Sequence, residues 1–236
     1  MTMRVDRFLS NLKYGSRTEV RDLLAQGRIT IDGVPVTDPA TLVDPENDAV
    51  EVDGKKVFYR RWIYLMVNKP QGVLSANKDD RLPTVLGLLK DPYDRFDLDL
   101  CGRLDLDTEG LVLLTNDGDF LHQVISPKKD VLKTYEAVLA QPLGDASPLE
   151  KGVRLLDGKN NPYVTKPAKI ERISDTVCRI SIGEGKYHEV KRMFEAIGNE
   201  VTALKRLSIG GLALDPALAP GGYKELSFSE VQAVFR

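Results

Sequence analysis

Apolar positions at the start of the chain recur at helical spacing and then switch to alternation. Val5, Phe8, Leu9 and Leu12 fall on one helical face, so "RVDRFLSNL" is predicted to form a short amphipathic helix. Ser16 opens a second helix. In "SRTE" the hydroxyl can cap the helix start while Glu19 reaches back from three residues on, and Val20, Leu23 and Leu24 supply the buried stripe. After Gly27 the pattern changes. In "RITIDGVPVT", Asp32-Gly33 stands between two β-branched runs, a hairpin signal because both turn residues must accept positive φ. A strand around Ala49 to Val52 then completes a small N-terminal unit, residues 1–54.

The basic stretch "GKKVFYRR" reads as a linker, residues 55–61, and a main domain, 62–236, begins with the strand "WIYLMVNKP". Its tryptophan, Trp62, reads as part of a core strand. Further strand-like runs recur at "LVLLT", "TYEAVLA", "VCRISIG" and "VTALKRLSI", separated by helix-like segments near Thr84 to Leu89, Phe120 to Ile125 and His188 to Ile197. This irregular mixture lacks regular βαβ alternation, so the fold class is α+β with a largely antiparallel sheet.

With 42% apolar residues among 236, the chain can bury a substantial core. A formal net charge of −2 advertises neither nucleic acid nor membrane, so any such preference must be local. It is local. Up to Arg28 there are six basic residues, Arg4, Arg7, Lys13, Arg17, Arg21 and Arg28, against three acidic ones, whereas Ile29 to Gly54 holds seven acidic and no basic residues. Two distant cysteines, Cys101 and Cys178, suggest neither a disulfide framework nor a zinc site and fit a reducing cytoplasm. No apolar run is long enough for a membrane helix.

The chemistry concentrates in "CGRLDLDTEGLVLLTNDGD", Cys101 to Asp119. Asp105, Asp107, Glu109 and Gly110 mimic the opening of a calcium loop. Position twelve is Asn116 where a bidentate Glu is needed, and "LVLLT" is a β-type run, so that reading fails. Asp105 and Asp107 could share one face of an extended chain as an acid and base for glycoside hydrolysis, but the single Trp offers little saccharide-binding surface. The remaining possibility is Asp105 alone as a nucleophile, with Arg103 two positions earlier.

Resemblance selects the third. "GRLDLDTEGLVLLTNDGD" resembles the signature of RNA pseudouridine synthases, and "NKPQG", "KTY" and "GEGKYHEVKRMF" follow that family's pattern in order. The front end, "DRFLSNLKYGSRTEVRDLLAQGRITIDGVPV", resembles the S4-type RNA-binding domain of two helices and a hairpin. The overall pattern is most similar to members acting on small-subunit 16S ribosomal RNA at a uridine-516 type of site; enzymes for 23S RNA share the motifs, and a catalytically silent ribosomal RNA-binding assembly protein is the other alternative.

The resemblance implies Asp105 as nucleophile, Lys191 as the cation that keeps a partly buried carboxylate charged, and Tyr135 as the residue facing uracil. The family's commoner residue at Lys191 is arginine, so the planar fork is lost; Arg192 is the reserve. Arg103 is implied to hold the space left by a flipped base, and Lys69, His188 and Arg192 to meet RNA, with Lys69 and Pro70 at the pocket edge. The six basic residues of the front end are the expected phosphate contacts. The reaction involves no redox change, so no cofactor and no metal are expected. The chain is expected to be a monomer whose partner is ribosomal RNA or a subunit assembly intermediate, with no membrane.

Overall fold

Ser16 caps its helix as its spacing predicts. In the computed structural model, which describes residues 2–157 and 161–236, Ser16 accepts from the Glu19 N–H and the Glu19 carboxylate accepts from the Ser16 N–H, opening the helix Arg17–Ala25. Met1 and residues 158–160, which the sequence places in the two domains, lie outside the described residues. Val20 and Leu24 are buried and Leu23 is half-buried. The preceding helix, Val5–Asn11, buries Val5, Phe8 and Leu9. Ile29–Ile31 pairs antiparallel with Val34–Pro35, and the connecting Asp32 and Gly33 have φ of 51° and 77°, the left-handed pair that a two-residue hairpin requires.

The chain divides into two compact units, Met1–Trp62 with Lys90–Asp97, and Ile63–Leu89 with Leu98–Arg236. The stretch read as a linker is structured. Lys55–Lys56 adds a strand to Val50–Val52, Val57 is buried, and Phe58 packs edge-on against Tyr93 and Phe96. Apolar residues inside the basic run therefore anchor it. Trp62, read as core, is 45% exposed and precedes the strand, with the Arg61 guanidinium over its ring.

The larger unit is built on a mainly antiparallel sheet. Its strands run Lys169–Arg172, Val177–Ile182, Lys133–Leu139, Val201–Ile209, Glu109–Thr115, Tyr64–Lys69 and Tyr223–Glu225 across the sheet. One neighbouring pair, Val201–Ile209 with Glu109–Thr115, is parallel. Tyr64–Lys69 and Glu109–Thr115 are buried on both faces, as their unbroken apolar runs require. On one face Met66, Leu111 and Leu113 pack with Phe120, Val124 and Ile209. The helices Gly118–Ile125 and Glu189–Ala196 match their predicted segments. The segment Thr84 to Leu89 forms only a 3₁₀ turn, Leu86–Leu88, because Gly87 within it weakens helix.

The parallel pairing brings Gly110 against Arg206. Gly110 has φ of +105°, and a Cβ there would lie 2.3 Å from the Arg206 carbonyl oxygen. Strand approach and backbone sign both demand glycine. Gly110→Ala is expected to destabilise the protein by roughly 3 kcal/mol or more, read from the urea midpoint; a loss below ~1 kcal/mol would show that the two strands separate easily.

Candidate active site

Asp105 leaves the core on a tight loop whose two ends are held by buried groups. Before it, Leu104 donates its N–H to Ser75 Oγ at 3.0 Å, and that hydroxyl donates to the Leu104 carbonyl at 2.9 Å. After it, the Thr108 N–H closes a turn on the Asp105 carbonyl and the Gly72 N–H donates to Leu106 O. Lys69 completes the clamp. Its ammonium donates to Thr108 O at 2.7 Å and more weakly to Pro70 O and Leu106 O. The "NKPQG" segment thus positions the acidic loop through backbone carbonyls.

This corrects the expectation that Lys69 meets RNA, since its side chain is fully buried and its donors are spent inside the protein. Burial, only partly offset by Asp107 and Asp105, pushes its ammonium down to about 8. Ser75 is not legible as a site residue in the sequence; an isolated Ser after a Gly-containing turn carries no distinctive spacing.

The helix Glu189–Ala196 supplies the facing wall. Lys191 donates to both carboxylate oxygens of Asp107, at 2.6 and 2.7 Å, and stands 3.7 Å from Asp105 Oδ2. The Lys191 ammonium is therefore shared between the two carboxylates, and its closest partner is Asp107. The Lys191 ammonium holds the Asp107 carboxyl below the usual carboxylate range. His188 Nε2 lies 3.5 Å from Asp105 Oδ1, and its ring stacks on Tyr187 with centroids 3.9 Å apart. Asp105 is partly open, at 28% side-chain exposure. A pocket in front of it is lined by Arg103, Thr108, Tyr135, His188 and Lys191 among others. Arg103 is exposed; the ammonium of Lys191 and the ring of His188, not Arg103, are the groups placed beside Asp105. Arg192 lines a different pocket with Arg154 and Glu195, one residue round the helix, so it is no reserve for Lys191.

Tyr135 sits on a strand whose alternating pattern buries Lys133, Tyr135, Ala137 and Leu139. Directly across the sheet is Arg206, which donates from Nε to Leu111 O at 2.6 Å and from Nη1 toward the Tyr135 hydroxyl at 3.5 Å. The arginine therefore occupies a lone pair of the phenol. Its role is hidden in the sequence because "LKRLSI" reads only as a strand, and its partner is far away along the chain.

Glu189 is buried, with Oε2 accepting the Lys186 N–H and Oε1 lacking a hydrogen-bond partner among the described residues. Burial, reinforced by nearby Glu184, pushes its carboxyl up to about 7. The folded state holds this proton more tightly than the unfolded chain does, so stability falls as pH rises from roughly 4.3 to about 7. Glu189→Gln should remove about 1–3 kcal/mol of that decline, measured as urea stability at pH 5 and pH 8. An unchanged pH dependence would mean that burial does not raise the Glu189 carboxyl.

The basic residues of the first unit are partly occupied. Arg4 and Arg21 converge on buried Asp6, Lys13 pairs with Asp97 at 3.0 Å, and Arg28 forms a two-pronged pair with Asp53. Arg7 and Arg17 are exposed. Among the described residues no cluster of His, Cys, Asp and Glu is suited to a metal, and no helix is long and apolar enough to cross a membrane.

Comparison with known proteins adds family relations. Residues 63–196 match the RNA pseudouridylate synthase family, and residues 3–50 match the S4 domain. The chain is 52% identical to an uncharacterized RNA pseudouridine synthase of Bacillus subtilis, with 97% of each protein covered. It is 42% identical to ribosomal small subunit pseudouridine synthase A of Escherichia coli, covering 98% of this chain and 100% of that protein. A crystal structure of a pseudouridylate synthase matches with a TM-score of 0.68 at 36% identity, over 98% of this chain and 99% of the other.

Proposed function

Because the chain belongs to the RNA pseudouridylate synthase family and carries an S4 domain, we propose that it isomerises a uridine of 16S ribosomal RNA, with Asp105 as nucleophile. It is an RNA pseudouridine synthase; the small-subunit target is drawn from the name of its 42% identical relative. The observation that carries the assignment of Asp105 is the clamped loop, which presents one carboxylate to the pocket that also contains Tyr135 and Lys191.

In the reaction the N1–C1′ bond breaks, the uracil turns, C5 bonds to C1′, the C5 proton leaves and N1 gains a proton. No electrons enter or leave overall. Asp105 attacks C1′ or C6, or assists departure of the base. Lys191 lies beside two carboxylates and favours the charged form of Asp107. Tyr135 faces the turned base, and its hydroxyl assists removal of the C5 proton. Arg103, at the pocket edge, fills the space left by the flipped nucleotide. The exposed Arg7 and Arg17, with Arg4, Arg21 and Arg28, meet RNA phosphates, and Lys13 joins them only by exchanging its contacts with Asp94, Phe96 and Asp97; the protein acts in the cytoplasm on free RNA or an assembling subunit.

Equal amounts of unmodified 16S and 23S RNA offered to the protein, followed by pseudouridine mapping, test this reading. New pseudouridine is expected in 16S RNA. Modification confined to 23S RNA would overturn the target, and none in either would overturn the ribosomal substrate.

A further inference from the structure

A second chamber, about 150 Å³ in volume, is lined partly by Tyr135, and the isomerisation as described uses neither Lys133 nor Arg206 in its wall. It shares Arg103, Tyr135 and Lys186 with the pocket of Asp105. Its other basic walls are Lys133 and Arg206, leaving four cations against one carboxylate, Glu184. That carboxylate is already committed, accepting the Lys166 N–H at 2.6 Å and lying 3.3 Å from Lys186 Nζ.

Two of these cations are buried with no ion pair within 4 Å among the described residues, although the more distant carboxyls of Glu189 and Asp130 act on Lys133. Lys133 is 9% exposed and Arg206 2%. Lys133 Nζ donates to Val124 O at 3.2 Å, and Nη2 of Arg206 has no hydrogen-bond partner among the described residues. An unpaired buried cation is costly, and a chamber wall is where that cost can be relieved by a ligand. Burial first, and then the charge of Arg206, pushes the Lys133 ammonium down to about 8. An anion between them reverses that balance.

We propose that this chamber is a subsite for one phosphodiester of the RNA backbone beside the flipped uridine, held by Lys133 and Arg206 with Arg103 at the entrance. The inference rests on the reading of the chain as an RNA-modifying enzyme. It adds the location of a phosphate contact that would fix the nucleotide's depth while the uracil turns, because phosphate contacts position without reading sequence.

The test measures binding of the full-length protein to 16S RNA across a range of salt concentrations. Lys133→Gln should weaken binding and flatten the slope of log K against log salt by about 0.7, the value for one single-strand phosphate contact, while Lys133→Arg restores the slope. In the unaltered protein, inorganic phosphate at constant ionic strength should move the Lys133 side-chain resonance and raise the pH at which it titrates. An unchanged slope in a folded Lys133→Gln protein overturns the backbone subsite, even if inorganic phosphate moves Lys133, because the chamber then takes a free anion. A resonance that phosphate leaves unmoved also overturns it. Both readouts report binding and neither depends on turnover, so failure to form pseudouridine counts against the proposed reaction and not against the chamber.

Discussion

Asp105→Asn should leave a folded protein that binds RNA but turns over at least about 10³-fold more slowly. The loop around Asp105 is held by Ser75, Gly72 and Lys69 through backbone atoms of Leu104, Leu106 and Thr108. None of these contacts uses the Asp105 side chain. The amide is nearly isosteric and lacks the negative charge. Circular dichroism and thermal unfolding should therefore match the parent, while release of tritium from C5-labelled uridine in RNA should fall to background. Turnover within tenfold of the parent would remove Asp105 from the nucleophile's role.

Lys191→Met should reduce kcat by roughly 10²–10³-fold at saturating RNA. The substitution removes the ammonium shared by Asp107 and Asp105 and leaves both carboxylates without it. Saturation matters because loss of a phosphate contact would mainly raise KM. Lys191→Arg should retain more activity, although its fork must fit two carboxylates where the lysine offers a point charge. The pH dependence separates charge from packing. Since Lys191 depresses the folded Asp107 carboxyl, their pairing stabilises the protein above roughly pH 4 and is lost as falling pH protonates Asp107. The Met variant should be less stable than the parent at pH 7, and the gap should narrow as pH falls below the pKa of an ordinary carboxylate. A kcat unchanged at saturating RNA would place Lys191 in substrate binding alone.

Local chemistry is readable in the chain. The Ser16–Glu19 capping box and the Asp32-Gly33 hairpin depend on neighbours within a few residues, and both form. A second box of the same spacing, Ser227 and Glu230, opens the C-terminal helix Phe228–Ala233; its signal is present in "SFSE" but is weak because the helix is short. The buried support of the site is less legible. "NKPQG" marks a motif but does not reveal that Lys69 turns inward, since lysine composition ordinarily predicts exposure. Arg206 meets Tyr135 only because a strand near the end of the sheet sequence is inserted between Lys133–Leu139 and Glu109–Thr115. That order follows from long-range pairing and from the room left by Gly110, neither of which spacing discloses. Asp107 illustrates a mixed outcome: its place beside Asp105 is plain, but its hold on Lys191 depends on where a helix 84 residues away in sequence docks.

The two carboxylates that share Lys191 can be separated by counting product in a single turnover. Enzyme in excess over unmodified 16S RNA is mixed and quenched over time, the RNA is digested to nucleosides, and pseudouridine per RNA is counted for the parent, Asp105→Asn and Asp107→Asn. The parent should reach one pseudouridine per RNA, Asp107→Asn should reach the same end point more slowly, and Asp105→Asn should form none. Product in Asp105→Asn at a rate within tenfold of the parent, or its absence in Asp107→Asn alone, would contradict Asp105 as the reacting group.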